Sequence, residues 1–180
     1  MAYPRWRSGL FPSPQDPRLA SWLTEPGSLT ARCVAASRQF RIRLLGQGQG
    51  RPLPDEAEAF RLRPGLRTRV REVLLECDGV PVIYAHTVLP LASRGRLARW
   101  LAGLGSRSLG SLLFTHPGFG RGPIEFRRLD RRHPLFKRAA RALSAEVAQH
   151  LWARRSAHRL EGQTVLVTEV FLPAILRLPS

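Results

Sequence analysis

A chain of 180 residues with 43% hydrophobic content is long enough for one domain with a real core, and no apolar run approaches the ~20 residues of a membrane span. The net charge of +16 invites a nucleic-acid reading, but Lys137 is the one lysine among 29 basic residues, the arginines are dispersed, and no helix-turn-helix, zinc-finger or aromatic-rich RNA-binding signature accompanies them, so no specific nucleic-acid partner is expected. Cys33 and Cys77 are too few and too far apart for a disulfide framework or a metal site, and the N-terminus lacks the apolar core of a signal peptide, so reduced cysteines and a cytoplasmic location are expected.

Residues 1–16, rich in proline and arginine, predict an extended surface segment. Asp16-Pro17 then opens a short helix, with Asp16 as N-cap, proline at its first position and Leu19, Trp22 and Leu23 on one apolar face. Ser28 can cap a second helical segment that begins at Leu29. Gln39 to Leu45 alternates Phe40, Ile42 and Leu44 with arginines, the pattern of a half-exposed strand. The GQGQG that follows lacks the Lys-Ser/Thr of a phosphate loop and reads as a flexible turn. Residues 52–68 carry three prolines and the acidic Asp55, Glu56 and Glu58, which predicts irregular structure with room for one helical turn.

The next stretch, VREVLLECDGVPVIYAHTVLP, is two apolar runs around Asp78-Gly79, a strong signal for a two-residue hairpin turn. Closing Cys77 onto Val80 pairs Leu75 with Val82, Val73 with Tyr84 and Arg71 with His86, unless a bulge shifts the register. A helix beginning near Ser93 places Leu97, Trp100, Leu101 and Leu104 on one face. Ser108-Leu109-Gly110 is either a plain helix start or a set of backbone N–H groups suited to an anion. PIEFRRLD alternates as a strand, and from Pro134 to about Arg154 the apolar spacing is helical, with Phe136, Ala139, Ala140, Leu143, Val147 and Leu151 as a stripe. A second hairpin turns at Glu161-Gly162-Gln163. Strands joined by tight turns, with helices grouped between them, predict a single α+β domain over residues 1–180 built on one antiparallel sheet.

Side chains alternate along a strand, so Arg71 shares its face with Val73, Leu75 and Cys77, and Glu169 shares its face with Val165, Val167 and Phe171. A buried unpaired charge costs several kcal/mol, roughly, or neutralises itself. These two charges should therefore meet each other or a ligand, and the pattern leaves a purely structural ion pair and a binding site both open. No Gly-x-Ser-x-Gly, HExxH, CxxC or dinucleotide fingerprint is present and the five histidines lack ligand spacing, so neither metal nor redox cofactor is expected.

REVLLECDG, HTVLP, SLGSLLF and LVTEVFLPA, in this order and together with DPRLASWL and GSLTARC, resemble the chorismate lyase family. The resemblance implies an antiparallel sheet with helices packed around a closed internal ligand pocket, and cofactor-free cleavage of chorismate into 4-hydroxybenzoate and pyruvate at the head of ubiquinone synthesis. It further implies that Arg71 binds the ring carboxylate, that Glu169 faces the 4-hydroxyl, and that Leu29 and Leu109 line the pocket and offer backbone contacts. A monomer is expected. Two departures stand out: the segment 131–157 is longer than expected, adding a helix that could cover the pocket, mediate contacts or touch the membrane peripherally, and His86 stands where the family pattern has an arginine. The competing expectation is a non-catalytic sensor domain of the same fold, as in some bacterial transcription regulators. The residues before the first strand leave no room for the winged helix of such regulators, and the presence of both Arg71 and Glu169 favours the enzyme.

Overall fold

The computed structural model describes residues 5–110, 116, 118, 120–143 and 149–179; Val147 of the expected stripe and the SLLF that follows Gly110 lie outside them. Seven strands form one antiparallel sheet: β1 (Phe40–Gly50), β2 (Thr68–Cys77), β3 (Val80–Pro90), β4 (Gly120–Arg121), β5 (Glu125–Asp130), β6 (His150–Leu160) and β7 (Gln163–Phe171). Their order is β1-β2-β3-β7-β6-β4, with β5 also on β6. The helices are α1 (Pro17–Leu23), α2 (Leu29–Ala35), α3 (Pro54–Ala59), α4 (Arg96–Gly103) and α5 (Pro134–Arg141), and a 3-10 turn follows at Pro173–Arg177. The α+β architecture is the expected one. Among the described residues no helix is long and apolar enough to cross a membrane.

Local chemistry sets the ends of these elements. Asp16 Oδ1 accepts from the Arg18 N–H at 2.8 Å and Ser28 Oγ from the Ala31 N–H at 3.3 Å, which satisfies donors that the first helical turn leaves open. Asp78 and Gly79 both have positive φ, 50° and 80°, as the mirror-image hairpin turn requires. Glu161 and Gly162 make the same turn between β6 and β7, with Leu160 opposite Gln163.

The sheet is covered on both faces. Leu97 and Leu101 of α4 pack with Leu89, Leu160 and Val165, while Trp22, Leu29 and Cys33 of α1 and α2 pack on Val73, Leu75 and Ala85. On the other face Leu135, Phe136 and Ala139 of α5 cover Leu74, Tyr84, Leu151 and Val170. Each large side chain buried in this way contributes about 2 kcal/mol.

Four expectations are corrected. GQGQG is not a turn but the second half of β1, pairing Gly46 with Glu72 and Gly50 with Thr68. The long β2 offers backbone partners there, and Gly50 lies so close to Val70 that an added Cβ would sit 3.2 Å from its Cγ2. The helix α4 starts at Arg96 behind Gly95, not near Ser93. The helix expected through Arg154 stops at Arg141, and His150–Leu160 is a strand held by β5 on one side and β7 on the other; pairing on both edges overrides a helical spacing.

The fourth correction concerns the central hairpin. Cys77 pairs with Val80 and Glu76 with Pro81, but Leu75 then pairs with Ile83, leaving Val82 as the extra residue of a bulge. Proline has no N–H for the ladder, and bulges are where strands tolerate it. Arg71 therefore sits opposite Thr87, and His86 opposite Glu72.

His86 consequently belongs to the far face, buried between two glutamates. Its Nε2 lies 3.0 Å from Glu56 Oε1 and its Nδ1 3.0 Å from Glu72 Oε1, which also accepts from Arg138 at 2.8 Å. Glu56 Oε2 accepts from the Leu53 N–H at 2.8 Å, capping α3. Burial alone would raise the Glu72 pKa, but His86, Tyr84 and Arg138 hold it at about 2 against its ordinary 4.5. Its contribution to stability is complete above 4.5 and lost as the pH falls toward 2. Burial opposes the His86 charge, yet attraction to Glu56 and Glu72 outweighs it, so its pKa is raised above 6.5 and its contribution is lost as the pH rises through that raised value. The cluster is thus most stabilising between 4.5 and 6.5. In denaturant unfolding across pH, Glu72→Gln should flatten the acid limb and His86→Gln the alkaline limb; profiles parallel to the unsubstituted chain in both variants would contradict this.

Candidate functional site

On the near face five adjacent strands carry polar side chains into one cavity of about 60 Å³. Arg71 of β2, Thr87 of β3, Glu169 of β7, Arg154 and His158 of β6 and Arg121 of β4 line it, among the apolar Ile42, Val73, Leu75, Ala85 and Val167. Two chain segments close it from outside: Gly27–Thr30, which starts α2, and Ser108–Gly110. Ser108 Oγ donates to Thr30 Oγ1 at 3.0 Å, joining the two segments. Leu29 and Leu109 are both buried and line the cavity, as expected from the family resemblance. Gly110 belongs to this contact, since an added Cβ would lie 3.4 Å from Ser28 Oγ.

Arg71 and Glu169 do not meet. One strand, β3, lies between theirs, and neighbouring strands are ~4.8 Å apart, which separates their backbones by about 10 Å. Arg71 is 2% exposed and donates through Nε and Nη2 to the carbonyl of Gly105 at 3.2 and 2.8 Å, and through Nη2 to that of Arg107 at 2.8 Å. Among the described residues it has no carboxylate partner, and its Nη1 is not used. Burial lowers its pKa to about 10, so it stays charged at neutral pH. A buried guanidinium satisfied by neutral carbonyls, with one nitrogen left over, is arranged to receive an anion.

At the other end Glu169 Oε2 accepts from Arg154 Nε at 2.7 Å, directly across β6 and β7. Arg154 is 1% exposed and also donates through Nη1 to the carbonyls of Leu23 at 3.3 Å and Glu25 at 2.6 Å. Arg121 donates through Nε to Ser156 Oγ at 3.1 Å and through Nη1 to the carbonyl of Pro26 at 2.8 Å. His158 lies beside Ser156, Nε2 to Oγ 3.0 Å, and burial together with Arg121 and Arg154 drives its pKa down to about 3, which leaves it neutral.

The cavity brings together Arg71 and Glu169, which strand alternation singled out, with Leu29 and Leu109, which the family resemblance implied, but Arg154, Arg121 and His158 were missed. Reading the start of β6 as helix hid Arg154, whereas His158, on the first strand of the expected second hairpin, was read only as one of five histidines without ligand spacing. The alternation Trp152, Arg154, Ser156, His158, Leu160 would have placed them on the face of Glu169 once the strand was recognised. Arg121 sits on a two-residue strand among glycines, with no periodicity to read. His86, expected as a departure within the site, does not line the cavity.

A family description, chorismate lyase, matches residues 10–177. The chain is 64% identical over 172 residues to the probable chorismate pyruvate-lyase of Dechloromonas aromatica, covering 95% of this chain and 96% of the relative. Identity to the protein of that name from Aromatoleum aromaticum is 48% over 174 residues, covering 94% and 92%. Among solved structures, the C-terminal domain of the histidine utilization repressor from Pseudomonas syringae aligns with TM-score 0.57 at 10% identity over 79% of this chain and 97% of that one. The effector domain of PhnF from Mycobacterium smegmatis aligns with TM-score 0.55 at 16% identity over 82% and 89%. At such identities the likeness is one of fold alone.

The Arg154–Glu169 pair supports the site from behind. Arg154→Met should destabilise the chain by about 3 kcal/mol, because it strands the carboxylate and releases two loop carbonyls, whereas Arg159→Met at an exposed position of the same strand should cost about 0.5 kcal/mol or less. Denaturant midpoints measure both, and equal effects would contradict the supporting role.

Proposed function

The chain belongs to the chorismate lyase family, and from that membership we propose that it cleaves chorismate into 4-hydroxybenzoate and pyruvate in the cavity between Arg71 and Glu169. The observation that carries this reading is a buried guanidinium and a half-buried carboxylate kept apart across an apolar space, each with an atom that no described residue uses. Arg71 Nη1 takes the ring carboxylate, and Glu169 Oε1 accepts from the 4-hydroxyl while Oε2 stays on Arg154. A guanidinium can offer a carboxylate two parallel bonds, but Nε and Nη2 already serve Gly105 and Arg107. The ring carboxylate thus gains its remaining bonds from backbone N–H groups at Leu29 and Leu109.

The reaction itself asks for little acid or base. Hydrogen leaves the hydroxyl-bearing carbon as a proton, the pair of that C–H bond completes the aromatic ring, and the neighbouring C–O bond breaks with its electrons going to the enolpyruvyl oxygen. The proton passes to the enolpyruvyl methylene, giving pyruvate. Aromatisation drives the step, so the residues orient the side chain, exclude water and stabilise charge, and neither metal nor redox cofactor enters. The same reading makes the protein a cytoplasmic monomer that supplies 4-hydroxybenzoate as the first committed step of ubiquinone synthesis. A sensor domain that binds a small aromatic acid without turnover is the second reading, supported by the fold shared with regulator domains; a relative named as a probable chorismate pyruvate-lyase, 64% identical over 95% of the chain, favours the enzyme.

Incubation with chorismate alone should yield 4-hydroxybenzoate and pyruvate in equal amounts. Saturable binding of 4-hydroxybenzoate without products would point to the sensor. Arg71→Ala should lower kcat/KM by about a hundredfold or more, the worth of charge-assisted hydrogen bonds to one carboxylate. Glu169→Gln retains an acceptor oxygen and separates orientation from proton abstraction. A kcat within about tenfold of the original is expected, and a loss of roughly a thousandfold or more would assign Glu169 as general base.

A further inference from the structure

We propose that Arg121 is the specificity residue for the second carboxylate of the substrate, the one on the enolpyruvyl side chain. The assignment rests on the placement of the ring between Arg71 and Glu169 given above. In chorismate the enolpyruvyl ether is on the carbon next to the one bearing the hydroxyl. With that hydroxyl at Glu169, the ether must leave the ring at the Glu169 end, toward the strands beyond β7.

Those strands are β6 and β4, in that order, and their charged side chains on the cavity wall are Arg154 and Arg121. The charge of Arg154 is matched by Glu169 at 2.7 Å, and its Nη1 is spent on two carbonyls. Arg121 donates to Ser156 Oγ from one nitrogen and to the carbonyls of Pro26 and Gly27 from another, which fix its guanidinium against the wall beneath the start of α2. Burial and the proximity of Arg154 lower its pKa, and Glu169 and Glu25 offset only part of that. His158 beside it is neutral and adds no competing cation.

The charge balance of the cavity points the same way. Among the described residues its walls hold the guanidiniums of Arg71, Arg121 and Arg154 against the carboxylate of Glu169, a formal excess of two positive charges. Chorismate carries two carboxylates, whereas 4-hydroxybenzoate carries one. A wall built for the product alone would have no use for the second excess charge. The position of Arg121 also places the departing enolpyruvate next to a cation as its oxygen takes up the electrons of the breaking bond, and next to the segment 26–28 that covers the cavity.

The test compares ligands with one and two carboxylates on the full chain and on two variants. Arg121→Gln should raise the KM for chorismate, and the Kd of 3-(carboxymethoxy)-4-hydroxybenzoate, by about tenfold or more, the usual worth of one charge-assisted hydrogen bond. The Kd of 4-hydroxybenzoate should change less than about threefold. Arg121→Lys should recover part of the lost affinity for the two dicarboxylates. Equal weakening of all three ligands would make Arg121 merely structural, and unchanged affinity for the dicarboxylates would overturn the assignment outright. If the unsubstituted chain fails to turn chorismate over, the lyase reading falls by itself, and the comparison of the two benzoates still decides the role of Arg121.

Discussion

The ion pair between Arg154 and Glu169, 2.7 Å long and laid across the β6–β7 ladder, is the interaction on which the site depends. A lone carboxylate on this face would draw any flexible cation within reach, and Arg71 faces the same cavity. Pairing Glu169 from behind fixes one of its oxygens and leaves the other toward the apolar space. The same guanidinium binds the carbonyls of Leu23 and Glu25, so the loop between α1 and α2 is seated by the residue that orients the carboxylate. Since α2 begins with the segment that covers the cavity, wall and cover are registered to each other through one side chain.

Cavity volume alone would have pointed elsewhere. A space of about 570 Å³ lies under the N-terminal segment, lined by Trp6, Asp55, Glu125, Arg127, His133 and Arg155 among others. Its charges answer one another: Asp55 Oδ2 accepts from Trp6 at 2.6 Å and Arg127 at 3.2 Å, and Glu125 accepts from Arg155 at 2.8 Å. The far-face cluster around His86 is likewise internally balanced, with Glu56 and Glu72 against His86 and Arg138. Of these three places it is the near-face cavity whose described lining residues carry two more cations than carboxylates, and excess charge held in an apolar surrounding is the stronger sign of an ionic ligand.

Local rules read the sequence well where one element decides its own conformation. Asp16, Ser28 and the Asp78-Gly79 turn act through their immediate neighbours, and strand alternation placed Arg71 and Glu169 on the buried face without knowledge of the fold. The rules failed where a distant partner decides. GQGQG becomes a strand because β2 runs past it, and His150–Leu160 is a strand because β5 and β7 flank it. The bulge at Val82 moved His86 from the expected site to the opposite face, a one-residue change that exchanges every side chain beyond it. The expectation that two buried charges must meet each other or a ligand was right in its physics and incomplete in its partners, for Glu169 has Arg154 and Arg71 has two carbonyls. The roles proposed for Arg71 and Glu169 come from the resemblance in the motifs, not from the pattern.

The account stands on the direction in which an aromatic acid lies in the small cavity. A crystal structure of the chain with 4-hydroxybenzoate tests it most directly. The account predicts the carboxylate within hydrogen-bond distance of Arg71 and the phenolic oxygen against Glu169, with open wall toward Arg121. The ligand reversed in the cavity, or bound instead beneath Trp6, would contradict it.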